Sequence, residues 1–273
     1  MGKQFISTTE ITLEFRSNDS INKKNIHFRT KQKIKNKWKA FLGFFAFGNL
    51  TQRAVLFKTD KWGGHFYTPH YQLHFKPYRF KRIKLLEIGV GGYESPFSGG
   101  NSLRMWKSYF PLGKIFSLDI YDKSPQQESR IKIFQGSQVD FEFLQKVIAH
   151  TGELDLIIDD GSHINAHVIQ TFEFLFPKLK KGGIYVIEDT QTSYWEHYGG
   201  TSNDFNQKGT IYEYFKTLID GLNHSEYMIP DYQRNYYDAH IISMHFYHNM
   251  IFIYKGDNNE TSNYLMNNKV KNG

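Results

Sequence analysis

The stretch "LIIDDGSHINAH", Leu156 to His167, ends an apolar run in two carboxylates, a glycine, a serine and a histidine. A second run, "GGIYVIEDT", ends in Glu188 and Asp189. If the two runs are neighbouring strands, about 5 Å apart, then Asp160, Glu188 and Asp189 surround one point. Three carboxylates pressed together repel unless a cation or protons intervene. Hard oxygen donors without thiolate favour Mg²⁺, with Mn²⁺ and Ca²⁺ as alternatives. His163 lies just past Asp160, where a neutral imidazole can take a proton from a substrate hydroxyl. The same residues also have a purely structural reading, in which Asp160 or Ser162 caps a helix running through "INAHVIQTFEFL". His167, one helical turn beyond His163, and His197 suit packing or surface roles better than catalysis.

A glycine loop supplies a second centre. "LLEIGVGGY" places Glu87, Gly89, Gly91 and Gly92 directly after an apolar run. Glycines there let a cofactor approach the backbone closely. Asp119 ends the next run, where a carboxylate can accept hydrogen bonds from both ribose hydroxyls. The dinucleotide fingerprint is not met, because no glycine stands three past Gly91 and the long "YESPFSGGNSL" loop precedes the helix. No P-loop lysine is present either. An acid before the first glycine, Glu87, without a phosphate cradle, suits S-adenosylmethionine, which carries an amino group and a sulfonium but no phosphate.

These residues need elements to position them. Five apolar runs, "IKLLEIGVG", "GKIFSLDIYD", "SRIKIFQGS", "LDLIIDDGSH" and "GGIYVIEDT", alternate with helix-like stretches such as "NSLRMWKSYF", "DFEFLQKVIAH" and "AHVIQTFEFLFPKL". That alternation predicts βαβ units and a parallel sheet covered on both faces. Ligands of such sheets bind beyond the carboxyl ends of the strands, where the polar ends of these runs gather. "AHIISMHFYHNMIFIYKG" predicts two further strands around a "YHN" turn, an antiparallel hairpin closing the sheet. "ITLEF" predicts a weak strand near the start, and the Asn-rich tail after Lys255 is expected to fray.

Composition limits the alternatives. The chain has 273 residues, 17% aromatic and 22% charged, enough apolar material for a sizeable core. It has no cysteine, which excludes disulfides, thiolate metal sites and a cysteine nucleophile and agrees with a cytoplasmic setting. The first residues carry acids and no apolar leader segment. The net charge of +7 is concentrated in "NKKNIHFRTKQKIKNKWK". Such a charge run is more often a solvated face than a binding site. Without an aromatic RNA-binding signature, nucleic acid is not the expected partner. Residues 31–50 lead from lysines into Trp38 and phenylalanines, a pattern that suits contact with a membrane surface. Packing on the core or on another subunit is the favoured alternative. Ala40 to Phe47 is far too short for a bilayer span of about 20 residues.

The segments "LLEIGVGGYESPFSGGNSLRMWKSYFPLGKIFSLDIYDKS", "LDLIIDDGSHINAHVIQTFEFLFPKLKKGGIYVIEDTQTSYW" and "MHFYHNMIFIYKG", with "TDKWGGHFYTPHY" upstream, resemble the metal-dependent sugar O-methyltransferases of macrolide biosynthesis, the mycinamicin type. The resemblance runs from about Thr59 to Lys255. It implies an α/β, Rossmann-like class I methyltransferase fold: a seven-stranded, mostly parallel sheet with a C-terminal antiparallel hairpin. It implies S-adenosylmethionine and Mg²⁺ as cofactors, Asp160, Glu188 and Asp189 as metal ligands, and His163 as general base. Glu87, Gly89, Gly91 and Asp119 would line the cofactor pocket, Gln138 would flank the adenine, and Tyr67 would lie at the methionine end. It divides the chain into a basic, aromatic extension (1–58), a methyltransferase domain (59–257) and a polar tail (258–273), and it carries an expectation of a homo-oligomer. The family has a substantial auxiliary domain where this sequence has about sixty basic and aromatic residues, so the catalytic machinery carries over more directly than the substrate. The expected acceptor is a sugar hydroxyl on a glycosylated natural product, polysaccharide or glycolipid. The rivals are an RNA methyltransferase and a non-catalytic binding protein with this fold.

Overall fold

The computed structural model describes residues 48–270 and, ahead of them, residues 24, 26–32, 34, 35, 38 and 39. The helices α1 (Leu50–Phe57) and α2 (Thr68–Phe75) lead into β1 (Lys84–Ile88). Then α3 (Asn101–Tyr109), β2 (Lys114–Asp119), β3 (Ile131–Gln135), α4 (Phe141–Thr151), β4 (Leu154–Asp159), α5 (Asn165–Leu175) and β5 (Leu179–Glu188) follow in order. All five apolar runs become strands, and the three helix-like stretches become α3, α4 and α5. After α6 (Ile211–Gly221) and α7 (Tyr236–His240) come β6 (Ile241–Tyr247) and β7 (Met250–Lys255).

The seven strands stand in the order β3-β2-β1-β4-β5-β7-β6, and β7 runs antiparallel to both β5 and β6. The expected hairpin is therefore present, turning at His248–Asn249 with Asn249 left-handed at φ 61°. From β1 the chain builds outward in one direction through β2 and β3, then returns to add β4 and β5 on the other side. The reversal lies between β1 and β4, where a doubly wound sheet opens a crevice beyond its carboxyl ends.

Strand alternation sorts side chains between two cores. Leu85, Ile115, Leu156, Ile158, Ile184, Val186 and Phe252 face a layer containing Tyr71, Phe75, Trp106 and Tyr109 of α2 and α3. Leu86, Ile88, Ile157, Tyr185, Ile187 and Ile251 face the opposite layer with Leu144, Phe172 and Phe215 of α4, α5 and α6. Glu87 continues the parity of Leu85, Asp160 that of Ile158, and Glu188 that of Val186. Three acids thus fall on the α2–α3 side, and Asp159 falls on the other.

Two boundaries differ from expectation. The division at residue 58 leaves α1 outside the domain, yet Leu50, Ala54 and Phe57 are buried in the shared core, and Arg53 bonds Ser108 of α3 at 3.3 Å. The tail does not fray through residue 270. Asn258 donates to the carbonyls of Gly221, Leu222 and Asp238, satisfying the end of α6. Leu265 is buried, and β8 (Leu265–Met266) pairs with β9 (Lys269–Val270). The "ITLEF" segment and residues 40–47 lie outside the described residues. Among the described residues, no helix is long and apolar enough to cross a membrane.

Candidate active site

Parity brings Glu87, Asp160 and Glu188 to one place, and one oxygen from each lies within 4.8 Å of the others. The group is buried on the α2–α3 side and carries its own cation. Lys61, 1% exposed, places its ammonium 2.6 Å from Glu188 Oε1, 2.7 Å from Asp160 Oδ2 and 3.3 Å from Glu87 Oε1. The Tyr71 hydroxyl also donates to Glu188 Oε1, and Ser102 Oγ donates to Glu87 Oε2 at 2.9 Å. Burial opposes the charge on Lys61, but Asp160, Glu188 and Glu87 together raise its pKa well above the usual lysine value. Burial and the neighbouring Asp160 push the Glu188 carboxyl up, and Lys61 and Tyr71 pull against them.

A second group faces outward and shares Asp160. Asp160, His163 and Asp189 offer ligand atoms within 4.8 Å of one another, with exposures of 25%, 22% and 17%. His163 Nε2 lies 3.8 Å from Asp160 Oδ1 and 3.6 Å from Asp189 Oδ2. His163 and Asp189 both adopt the left-handed conformation, φ 56° and 55°. A side chain with a Cβ there carries roughly 1–3 kcal/mol of strain, which persists where the surroundings over-determine it. Burial raises Asp189, but the Tyr67 hydroxyl at 2.5 Å and the imidazoles of His163 and His65 hold it below the ordinary carboxylate range. The donors are carboxylate oxygens with one imidazole and no thiolate, a set that fits Mg²⁺ or Mn²⁺.

The helix-cap reading of these residues does not hold. Ile164 occupies the N-cap of α5 and offers no side-chain bond, while the Asp160 carboxylate lies on Lys61. Ser162 instead contacts His167 Nδ1 at 3.0 Å, which gives His167 the packing role expected of it.

On the other side of the crevice, Gly89 sits at φ 92°, and a Cβ there would meet the Asp160 carbonyl oxygen at 2.2 Å. Only glycine lets the end of β1 pass so close to the loop carrying the acids. Gly91 is also left-handed, at φ 75°, with open space where a side chain would stand. Asp119 accepts from Val90 N at 3.0 Å and Tyr121 N at 2.9 Å, tying β2 to the glycine loop. Gln138 and Tyr67 are each anchored by protein groups. Gln138 is buried, donating to Asp159 at 3.3 Å and Thr171 at 3.1 Å and accepting from Ser162 N at 2.8 Å. It braces the "DGSH" loop from below, and its amide is engaged by protein groups. Tyr67 lies against Asp189, on the carboxylate side of the crevice.

No protein-family model matches the chain. It is 47% identical over 214 residues to mycinamicin VI 2''-O-methyltransferase of Micromonospora griseorubida, covering 78% of this chain and 54% of that protein. It is 46% identical over 215 residues to demethylmacrocin O-methyltransferase of Streptomyces fradiae, with the same shares. Among solved structures, it matches the MycE methyltransferase of the mycinamycin biosynthetic pathway, in complex with Mg and SAH. The TM-score is 0.75 at 47% identity, covering 78% of this chain and 55% of that one. The fold is that of the class I methyltransferases. The chain spans about half the length of the curated relatives it matches.

Within this methyltransferase fold, three contributors escaped sequence reasoning. Lys61 and Tyr71 come from the segment ahead of β1, and no spacing ties them to acids 99 and 117 positions away. The available signal was electrostatic: three acids of equal parity on adjacent strands require a buried cation on that face. Asn165, 1% exposed, donates to the Thr192 and Tyr198 carbonyls at 3.0 and 2.8 Å and accepts from Ile211 N at 2.7 Å. It fastens the loop after Asp189 to the start of α5. Its place two residues past the "DGSH" histidine was the only hint.

Proposed function

We propose that this chain transfers a methyl group from S-adenosylmethionine to a sugar hydroxyl, with a divalent cation, Mg²⁺ by preference, at the outer carboxylates. The observation that carries the reading is the convergence of Asp160, His163 and Asp189 in the crevice beyond β4 and β5, facing the glycine loop of β1. The similarity to sugar O-methyltransferases, and to a methyltransferase structure containing Mg and SAH, supports it.

The division of labour follows from the geometry. The backbone at Gly89 and Gly91 and the carboxylate of Asp119 border the cofactor's place, with Glu87 behind them. Asp160 and Asp189 would hold the cation, and Glu188 would offer it Oε2 alone, because Lys61 and Tyr71 take Oε1. Bound there, Mg²⁺ supplies positive charge that lowers the pKa of an acceptor hydroxyl. His163 Nε2 takes the hydroxyl proton as the oxygen attacks the methyl carbon. The C–O bond forms, the C–S bond breaks, and S-adenosylhomocysteine leaves as a neutral thioether. The remaining task is in-line alignment of oxygen, carbon and sulfur.

The acceptor is a sugar on a glycosylated natural product, a polysaccharide or a glycolipid. Tyr194 and Trp195, part-exposed on the loop after Asp189, offer ring faces of the kind that pack against the C–H surface of a sugar. The test is transfer of labelled methyl to a panel of glycosylated acceptors, with and without EDTA. EDTA-sensitive labelling of a sugar oxygen supports the reading. Labelling of RNA alone, or labelling indifferent to EDTA, contradicts it.

A further inference from the structure

The two acidic groups are unequal, and Lys61 makes them so. The inner group alone would be a cation site: three carboxylates within 4.8 Å of one another, with Glu87 and Glu188 buried and Asp160 part-exposed. A divalent ion bound there would lie behind Asp160, away from the crevice in which the acceptor and His163 meet. The Lys61 ammonium stands in that place, within 3.3 Å of all three acids. We infer that Lys61 is a positioning residue, a built-in cation that fills the inner carboxylate group and thereby restricts the site to a single divalent ion held on the outer side. The inference rests on the metal-dependent reading proposed above.

The local structure is built for this. Lys61 lies in the loop between α1 and α2, closed by Gly63 N to His65 O at 2.9 Å and His65 N to Asp60 O at 2.8 Å. Tyr67 N donates to the Lys61 carbonyl at 3.1 Å, and the Tyr67 hydroxyl reaches Asp189. One short loop therefore delivers the Lys61 ammonium to the inner group and, to the outer one, the Tyr67 hydroxyl and the His65 imidazole, 3.6 Å from Asp189 Oδ1. Lys61 takes Asp160 Oδ2, while Asp160 Oδ1 is the oxygen on the His163 side. Each cation then has its own oxygen of the shared carboxylate.

The test counts ions. The wild type, Lys61→Met and Lys61→Arg are titrated with Mn²⁺, and free and bound metal are followed by electron paramagnetic resonance. The wild type and Lys61→Arg should bind one Mn²⁺ per chain with an uncoupled signal. Lys61→Met should bind two, with the broadened signal of neighbouring, spin-coupled ions. If Lys61→Met does not fold without metal, Mn²⁺ filling the inner group should restore its melting transition, because a ligand that binds only the folded state stabilises it. One uncoupled ion in Lys61→Met, no ion, or no recovery of folding by Mn²⁺ overturns the inference. Absence of any Mn²⁺ site in the wild type overturns the metal-dependent reading itself, and this inference with it.

Discussion

The inner and outer carboxylate groups share Asp160, yet they solve opposite problems. Inside, Glu87 and Glu188 are buried, and every acid touches Lys61. Outside, Asp189 and His163 are part-exposed, sit on strained backbone and lack a full counter-charge. Buried charge is tolerated only when paired and hydrogen-bonded, and Lys61, Tyr71 and Ser102 supply the partners of the inner group. The outer group is left incomplete beside solvent, as a site that must accept a cation and a substrate requires. Chemistry in this fold resides where the carboxylates stay part-exposed, not where they are most numerous.

Removing the shared residue should erase the distinction. Asp160→Asn is expected to abolish divalent-ion binding and lower methyl transfer by about 10⁴-fold, roughly 5 kcal/mol of transition-state stabilisation. Calorimetry should still detect S-adenosylmethionine binding, and unchanged turnover would refute the placement of the ion. Acting on the outer group alone, His163→Ala should reduce turnover by about 10³-fold, within the usual worth of a general base. Cofactor and Mn²⁺ affinities should survive, and loss of cofactor binding by the folded variant would count against the role of His163.

A smaller effect is expected from the group that tunes Asp189. Tyr67→Phe removes the hydroxyl that helps hold this carboxylate below its ordinary range. A depressed carboxylate favours the ionised, folded form above its unfolded pKa and loses that advantage as pH falls through the folded value. In the variant, the pH at which Mn²⁺ binding fails on acidification should move upward, and affinity at neutral pH should weaken by about tenfold, typical of a lost ligand-orienting contact. An unchanged pH profile would contradict the link.

The mildest test lies on the opposite face of β4. Burial pushes the Asp159 carboxyl up to about 7, against hydrogen bonds from the Gly161 backbone, Gln138 and Tyr185. A raised carboxyl binds its proton more tightly folded than unfolded, so it favours the fold at low pH and loses that contribution between about pH 4 and 7. Asp159→Asn should flatten the fall in melting temperature over that window while leaving Mn²⁺ binding intact. A parallel fall in variant and wild type would show that Asp159 does not set the slope.

Much of this architecture was legible because it repeats short-range rules. The five strands and the helices between them follow from apolar runs ending in polar residues, and the antiparallel pair follows from "YHN". Asp160 and Glu188 were legible as a pair because their strands are neighbours. What stayed hidden depended on long-range contact. Lys61 resembles any lysine in a loop until the fold brings it to three acids. Gln138 and Tyr67 were given cofactor roles by resemblance, but the bonds that tie Gln138 to Asp159, Thr171 and Ser162 and Tyr67 to Asp189 were not legible from spacing. The tail appeared frayed because its stability comes from Asn258 on distant carbonyls, not from apolar periodicity.

The most direct test is calorimetric titration of the purified protein with S-adenosylmethionine, with and without Mg²⁺, beside Asp160→Ala. The account predicts one cofactor site in both proteins and a separate Mg²⁺ site in the wild type that the variant lacks. A folded wild-type protein that binds no S-adenosylmethionine would contradict it.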